Sequence, residues 1–111
     1  MTILILGATG FIGSAVAQKL IGMDFGVKAP GRGLNAARIR EPRIRWIEGD
    51  LRNFTAAAGW DSLLAEVEAV VNCAGALQNS GRDDVHAVQE QAMFALFEAA
   101  RAYPAIRIIQ V

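Results

Sequence analysis

The chain has 111 residues, which limits it to a single domain, and 53% of them are hydrophobic, which excludes a disordered polymer. Eleven basic and eleven acidic side chains cancel, so no general pull toward nucleic acid or an anionic membrane is expected. The lone cysteine, Cys73, excludes an internal disulfide and fits a reducing compartment.

In chain order, Thr2 to Leu6 (TILIL) is a short apolar run that predicts a strand buried on both faces, as in a parallel sheet. No charged stretch precedes it, and Gly7, Gly10 and Asp24 interrupt the hydrophobicity. Neither a signal peptide nor a membrane span is expected, and a cytoplasmic protein is. From Phe11 to Gly22, Ile12, Ala15, Val16 and Leu20 recur at helical spacing. Gly26 marks a turn, and VKAP is a second strand that Pro30 closes. LNAARIR predicts a short helix ended by Pro42, and IRWIEGD alternates like a strand with one wetter face.

TAAAGWDSLLAEVE reads as a helix weakened by Gly59, and AVVNCAG as a fourth strand ending in glycine. Asp83 and Asp84 suit the start of a long helix that runs to about Ala102 before Pro104. Val85, Val88, Ala92, Leu96 and Ala99 form its apolar stripe. Met93, Phe94 and Phe97 widen the stripe, so both flanks are expected to pack. IRIIQV is the fifth strand. Alternating strands and helices argue for an α/β fold: a doubly wound parallel sheet of about five strands, Rossmann-like, with right-handed crossovers.

The stretch GATGFIG carries the chemistry. Gly7, Gly10 and Gly13 stand where a strand hands over to a helix. A helix start exposes unpaired amides and partial positive charge, and it takes phosphate well where no side chain intervenes. Gly7 would allow the sharp exit, Gly10 a close approach by a diphosphate, and Gly13 tight packing of the helix on the first strand. Phe11 and Ile12 open the helix, and Thr9 adds a hydroxyl. The spacing is one residue longer in its first gap than the dinucleotide fingerprint G-x-G-x-x-G. A tight turn with a packing glycine and no ligand is the plain alternative.

GATGFIG resembles the nucleotide-binding turn of extended and atypical short-chain dehydrogenases/reductases, the group of the NAD(P)-dependent epimerases and dehydratases. The resemblance covers the whole chain. GDLRN is similar to the family's acidic stretch after the third strand, which implies that Asp50 accepts from the adenine amino group with Leu51 flanking the ring. VVNCAGA is similar to its fourth strand, which implies Cys73, Ala74 and Gly75 at the cofactor, the last two along the ribose. AVQEQAMFALFEAAR resembles the long helix that follows, with Gln89 and Ala92 where many members have Asn and Gly.

The resemblance implies an NAD(P)-binding Rossmann-like domain over residues 1–111, incomplete relative to the family. No Asp or Glu lies between Gly26 and Arg40, while Arg32 follows the second strand. An acid there would repel a 2′-phosphate and an arginine would pair with it, so NADP(H) is favoured over NAD(H). Arg32, Arg38, Arg40, Arg43, Arg45 and Arg52 otherwise read as a solvated basic face.

The family's catalytic Tyr-x-x-x-Lys pair does not occur in this sequence. The only tyrosine, Tyr103, is followed four residues on by Arg107, whose fixed charge makes it a poor lysine substitute. His86 stands alone, and no His/Cys set has metal spacing. No catalytic or metal residues are therefore assigned. Two functions remain: the NAD(P)-binding part of an oxidoreductase or epimerase-like enzyme, and a non-catalytic NADP(H)-binding sensor or assembly module. The apolar fifth strand is expected to be an exposed edge that self-associates or takes a partner chain.

Overall fold

The protein is described by a computed structural model that covers residues 1–49, 57–73 and 83–111. The strands are β1 (Thr2–Leu6), β2 (Gly26–Gly31), β3 (Arg45–Glu48), β4 (Val67–Asn72) and β5 (Arg107–Gln110). The helices are α1 (Phe11–Gly22), α2 (Asn35–Arg40), α3 (Asp61–Leu64) and α4 (Asp83–Ala100), with a 3₁₀ turn at Ala57–Trp60. The strands form one sheet in the order β3-β2-β1-β4-β5, every pair parallel. This is the doubly wound architecture expected from the alternation of elements.

Successive strand residues face opposite sides, so the sheet builds two cores. Leu4, Leu6 and Val70 pack with Trp60, Leu63, Leu64 and the Ala92, Ala95, Leu96 and Ala99 stripe of α4. Ile3, Ile5, Val27 and Ala29 pack on the other side with Ala17, and Ile12, Val16 and Leu20 of α1 close over them.

Three expectations change. Pro30 does not close β2, because the strand pairs onward with β3 through Gly31. The Gly26 amide donates to Met1 O at 2.9 Å, so alternate amides of β2 face β1. Proline removes the donor that would continue this ladder, and β1–β2 pairing stops at Leu4 and Lys28. Next, the helix expected over TAAAGWDSLLAEVE is only the 3₁₀ turn and the four-residue α3, because Val67 already belongs to β4. Glu66, at φ 63°, makes the turn between them. Lys28, buried on β2, donates its ammonium to Ser62 O at 2.8 Å and so satisfies a carbonyl of this short helix. Burial, and Arg45 beside it, lower the Lys28 pKa.

The third change is in α4. Met93 packs against the core, but Phe94 is 70% and Phe97 45% exposed, so only one flank is covered. The side chains of Val85 and Val88 lie outside the described residues.

Behind α2, Glu41 gathers several donors. Its carboxylate accepts from Gln18 Nε2 at 2.7 Å and from Arg43 Nε and Nη2 at 2.8 and 2.9 Å. The Arg43 side chain chiefly, then Gln18, hold its pKa at about 2, against an ordinary value of 4.5. A depressed folded-state pKa gives stability that is complete above the unfolded value and is lost as pH falls through the folded one. The thermal midpoint is therefore expected to fall between pH 4.5 and 2, and to fall less in Glu41→Gln. Superimposable pH profiles of the two proteins would refute this.

Candidate dinucleotide site

The chain winds outward from β1 through β2 to β3, then returns past β1 to lay down β4 and β5. The reversal lies between β1 and β4, and a crevice opens at the carboxyl ends of strands at such a point. The two ends are level: Leu6 pairs with Asn72, and the Cys73 amide donates to Leu6 O at 2.9 Å.

The glycine turn stands at this edge. Gly7 has φ 80°, a left-handed conformation that side chains resist, and it turns the backbone sharply out of β1. The Gly10 amide closes the turn on Gly7 O at 3.0 Å. Gly10 then caps α1 with extended backbone and no side-chain hydrogen bond. The first intrahelical bond runs from the Ser14 amide to Gly10 O at 2.9 Å. The amides of Phe11, Ile12 and Gly13 precede it and are the donors that a helix start leaves over. No acidic residue lies in this first turn. Thr9 and Gly10 are exposed, and the Phe11 side chain is 85% exposed. Ile12 is half-buried against the α1-side core.

Gly13 is buried, and its packing is tighter than the sequence implied. A Cβ there would stand 2.0 Å from Gly7 O and 2.9 Å from Ala8 Cα. The helix thus lies against the turn itself rather than against the body of β1. At Gly10 a Cβ would meet Gly7 O at 3.3 Å, a contact that small shifts relieve.

At the carboxyl end of β2, Arg32 is exposed directly after the strand, followed by Gly33 at φ 56°. Sequence reasoning missed Glu48, which the β2–β3 register places beside Gly31. It lies far along the chain from β2, so only strand pairing brings an acid to this corner. Asn72 was also missed. It is buried at the end of β4, and its amide donates to Met93 Sδ at 3.0 Å, tying the strand end to α4. Cys73 is buried in the cluster with Ile3, Ile5 and Ala8, and burial raises its thiol pKa, which disfavours the thiolate. Asp50, Leu51, Ala74 and Gly75 lie outside the described residues.

Tyr103 is remote from this edge. It follows α4, packs against the Trp60 core, and precedes β5, whose Arg107 starts at the amino end of the sheet beside Ala69. Among the described residues no cluster of His, Cys, Asp and Glu could hold a metal, and no helix is long and apolar enough to cross a membrane.

Residues 3–111 match the family described as NAD dependent epimerase/dehydratase. The chain belongs to that family. Among curated proteins none matches the sequence. Solved structures of similar fold include dTDP-glucose 4,6-dehydratase from Bacillus anthracis in complex with NAD, with TM-score 0.72 and 20% identity over 99% of this chain. UDP-glucose 4-epimerase from Bifidobacterium longum, in complex with NAD+ and UDP, gives 0.74 and 18% over 99%. The UDP-glucose 4-epimerase of Thermotoga maritima, with UDP-glucose, gives 0.73 and 22% over 99%. At these identities the likeness speaks for the fold. The chain spans 36% of the dehydratase, 36% of the Bifidobacterium epimerase and 37% of the Thermotoga epimerase.

Family membership makes a nicotinamide dinucleotide the cofactor of this Rossmann-type domain. The turn fits it. Gly7 bends out of the way, Gly10 presents bare backbone, and the amides of Phe11, Ile12 and Gly13 stand at a helix start with no acidic residue in its first turn.

Proposed function

We propose that residues 1–111 act as one nicotinamide-dinucleotide-binding unit that holds the diphosphate on the amides of Phe11, Ile12 and Gly13, in the crevice between β1 and β4. The observation that carries this is the glycine turn from Gly7 to Gly13, whose helix start is capped by Gly10 without a side-chain hydrogen bond and has no acidic residue in its first turn. Thr9 would add a hydroxyl, Asp50 and Leu51 would hold the adenine, and Cys73, Ala74 and Gly75 would border the ribose and nicotinamide side. When bound, the nicotinamide supplies hydride transfer. The chain's own residues bind and orient it, and none is assigned to proton transfer. The unit thus serves an oxidoreductase or epimerase-like protein as its binding part. A non-catalytic sensor or assembly module that holds the nucleotide is the second reading.

NADP(H) is the preferred cofactor in this proposal. Arg32, exposed just past β2, supports it through the charge-assisted pairing a guanidinium makes with a 2′-phosphate. Glu48 beside Gly31 favours the alternative, NAD(H), by accepting from a 2′-hydroxyl. Thermal unfolding with NADPH and with NADH separates them. A ligand at a hundredfold excess over its dissociation constant adds about 2.7 kcal/mol. A larger rise with NADPH is expected, with Arg32→Ser weakening NADPH binding about tenfold. No rise with either nucleotide would sink the proposal, and a larger rise with NADH would assign the corner to Glu48.

We also propose a cytoplasmic location, supported by the single buried thiol, and association through the β5 side of the sheet. Ile109 is 51% exposed there, and half-buried Ala69 and Val71 continue the same face. Sedimentation at high concentration is expected to give a species heavier than one chain. A monomer throughout would refute association.

A further inference from the structure

We infer that Glu41 is a positioning residue for the ribose end of the site: it fastens the C-terminal end of α2 to α1 through Gln18, and so sets where the Arg32 loop stands relative to the diphosphate turn. The inference rests on the reading of Arg32 given above.

Packing holds α2 only lightly. It has six residues, of which Ala37 alone is buried, and Ile39 points to solvent. What secures its far end is polar. The Glu41 amide closes the helix on Ala37 O at 2.9 Å. Its carbonyl accepts the Trp46 indole N–H at 2.9 Å, which ties it to β3. Its carboxylate accepts from Gln18 on α1 at 2.7 Å and from Arg43 Nε at 2.8 Å, and also from the Arg43 backbone N–H at 3.1 Å. The carboxylate is covered by its donors, although Gln18 and Arg43 are themselves exposed, and it links α1 to the end of α2.

The near end of α2 continues into the loop that carries Arg32. Leu34, buried, caps the helix, and the Arg38 amide donates to Leu34 O at 2.8 Å. A Cβ on Gly31 would come within 2.8 Å of Leu34, so the loop is held close against the end of β2. One rigid helix, α1, therefore carries the diphosphate amides at its start and grips Glu41 two turns later. Strand β2, helix α2 and Glu41 complete a ring back to it. Loosening the ring at Gln18 releases the end of α2 from α1, leaves the Trp46 bond to β3 as its tie, and so loosens α2 and the loop while the glycine turn stays intact.

The test compares NADPH and NADH affinities in the wild-type chain, Gln18→Ala, Glu41→Ala and Arg32→Ser, together with amide hydrogen exchange. Gln18 is exposed, so Gln18→Ala keeps the fold even where Glu41→Ala does not. NADPH affinity is expected to fall on the order of fivefold in Gln18→Ala with NADH affinity unchanged, and α2 amides to exchange faster. A purely structural role would lower both affinities together, and that outcome overturns the inference. Unchanged affinities with unchanged α2 exchange also overturn it. If Arg32→Ser weakens NADPH and Gln18→Ala does not, Glu41 loses its role while the Arg32 reading stands. If Arg32→Ser leaves NADPH binding untouched, the Arg32 reading fails and this inference falls with it.

Discussion

Replacing Trp60 by alanine is expected to lower stability by about 3–5 kcal/mol, the range for deleting a large buried aromatic side chain. In a chain of this size that is a fall of roughly 12–20 °C in the thermal midpoint. Trp60 is fully buried, and it ends the 3₁₀ turn that replaces most of an expected helix. The four-residue α3 is too short to hold itself by backbone hydrogen bonds. Packing of Trp60, Leu63 and Leu64 under α4 therefore fixes this crossover. Such a loss is a large part of the 5–15 kcal/mol typical of native domains, about a third or more at the middle of that range. A midpoint within a few degrees of wild type would show that the site collapses around the deletion and that the core does not depend on it.

Gly13→Ala is the second large effect, expected at about 3 kcal/mol because the new methyl has no room. The obstacle at 2.0 Å is a backbone carbonyl, not a flexible side chain, so relief requires α1 to move away from the turn. That movement also displaces the Phe11 and Ile12 amides. Nucleotide-induced stabilisation is therefore expected to vanish even at temperatures where Gly13→Ala is fully folded. Gly10→Ala is the control. Its 3.3 Å contact asks for a shift of only a few tenths of an ångström, while the added methyl stands on the exposed turn proposed to take the diphosphate. The expected pattern is a large stability loss at Gly13, and a binding loss with little stability loss at Gly10. Equal stability losses at the two positions would contradict it.

Local chemistry along the chain determined the fold class and marked the candidate site. Periodicity runs through four strand–helix units and a last strand, and GATGFIG puts three glycines at one strand-to-helix junction. Both are short-range signals, so strand order, parallel pairing and the edge that carries the turn follow with little choice. Tertiary structure alone decided what depends on neighbours distant in sequence. The ends of α3, the exposure of Phe94 and Phe97, and the one-sided loss of pairing at Pro30 are set by which elements lie alongside. Lys28 on Ser62, Gln18 on Glu41, and Glu48 beside Gly31 are pairings across strands and helices. Propensity cannot reveal them, because each exists only once the sheet has brought its two partners together.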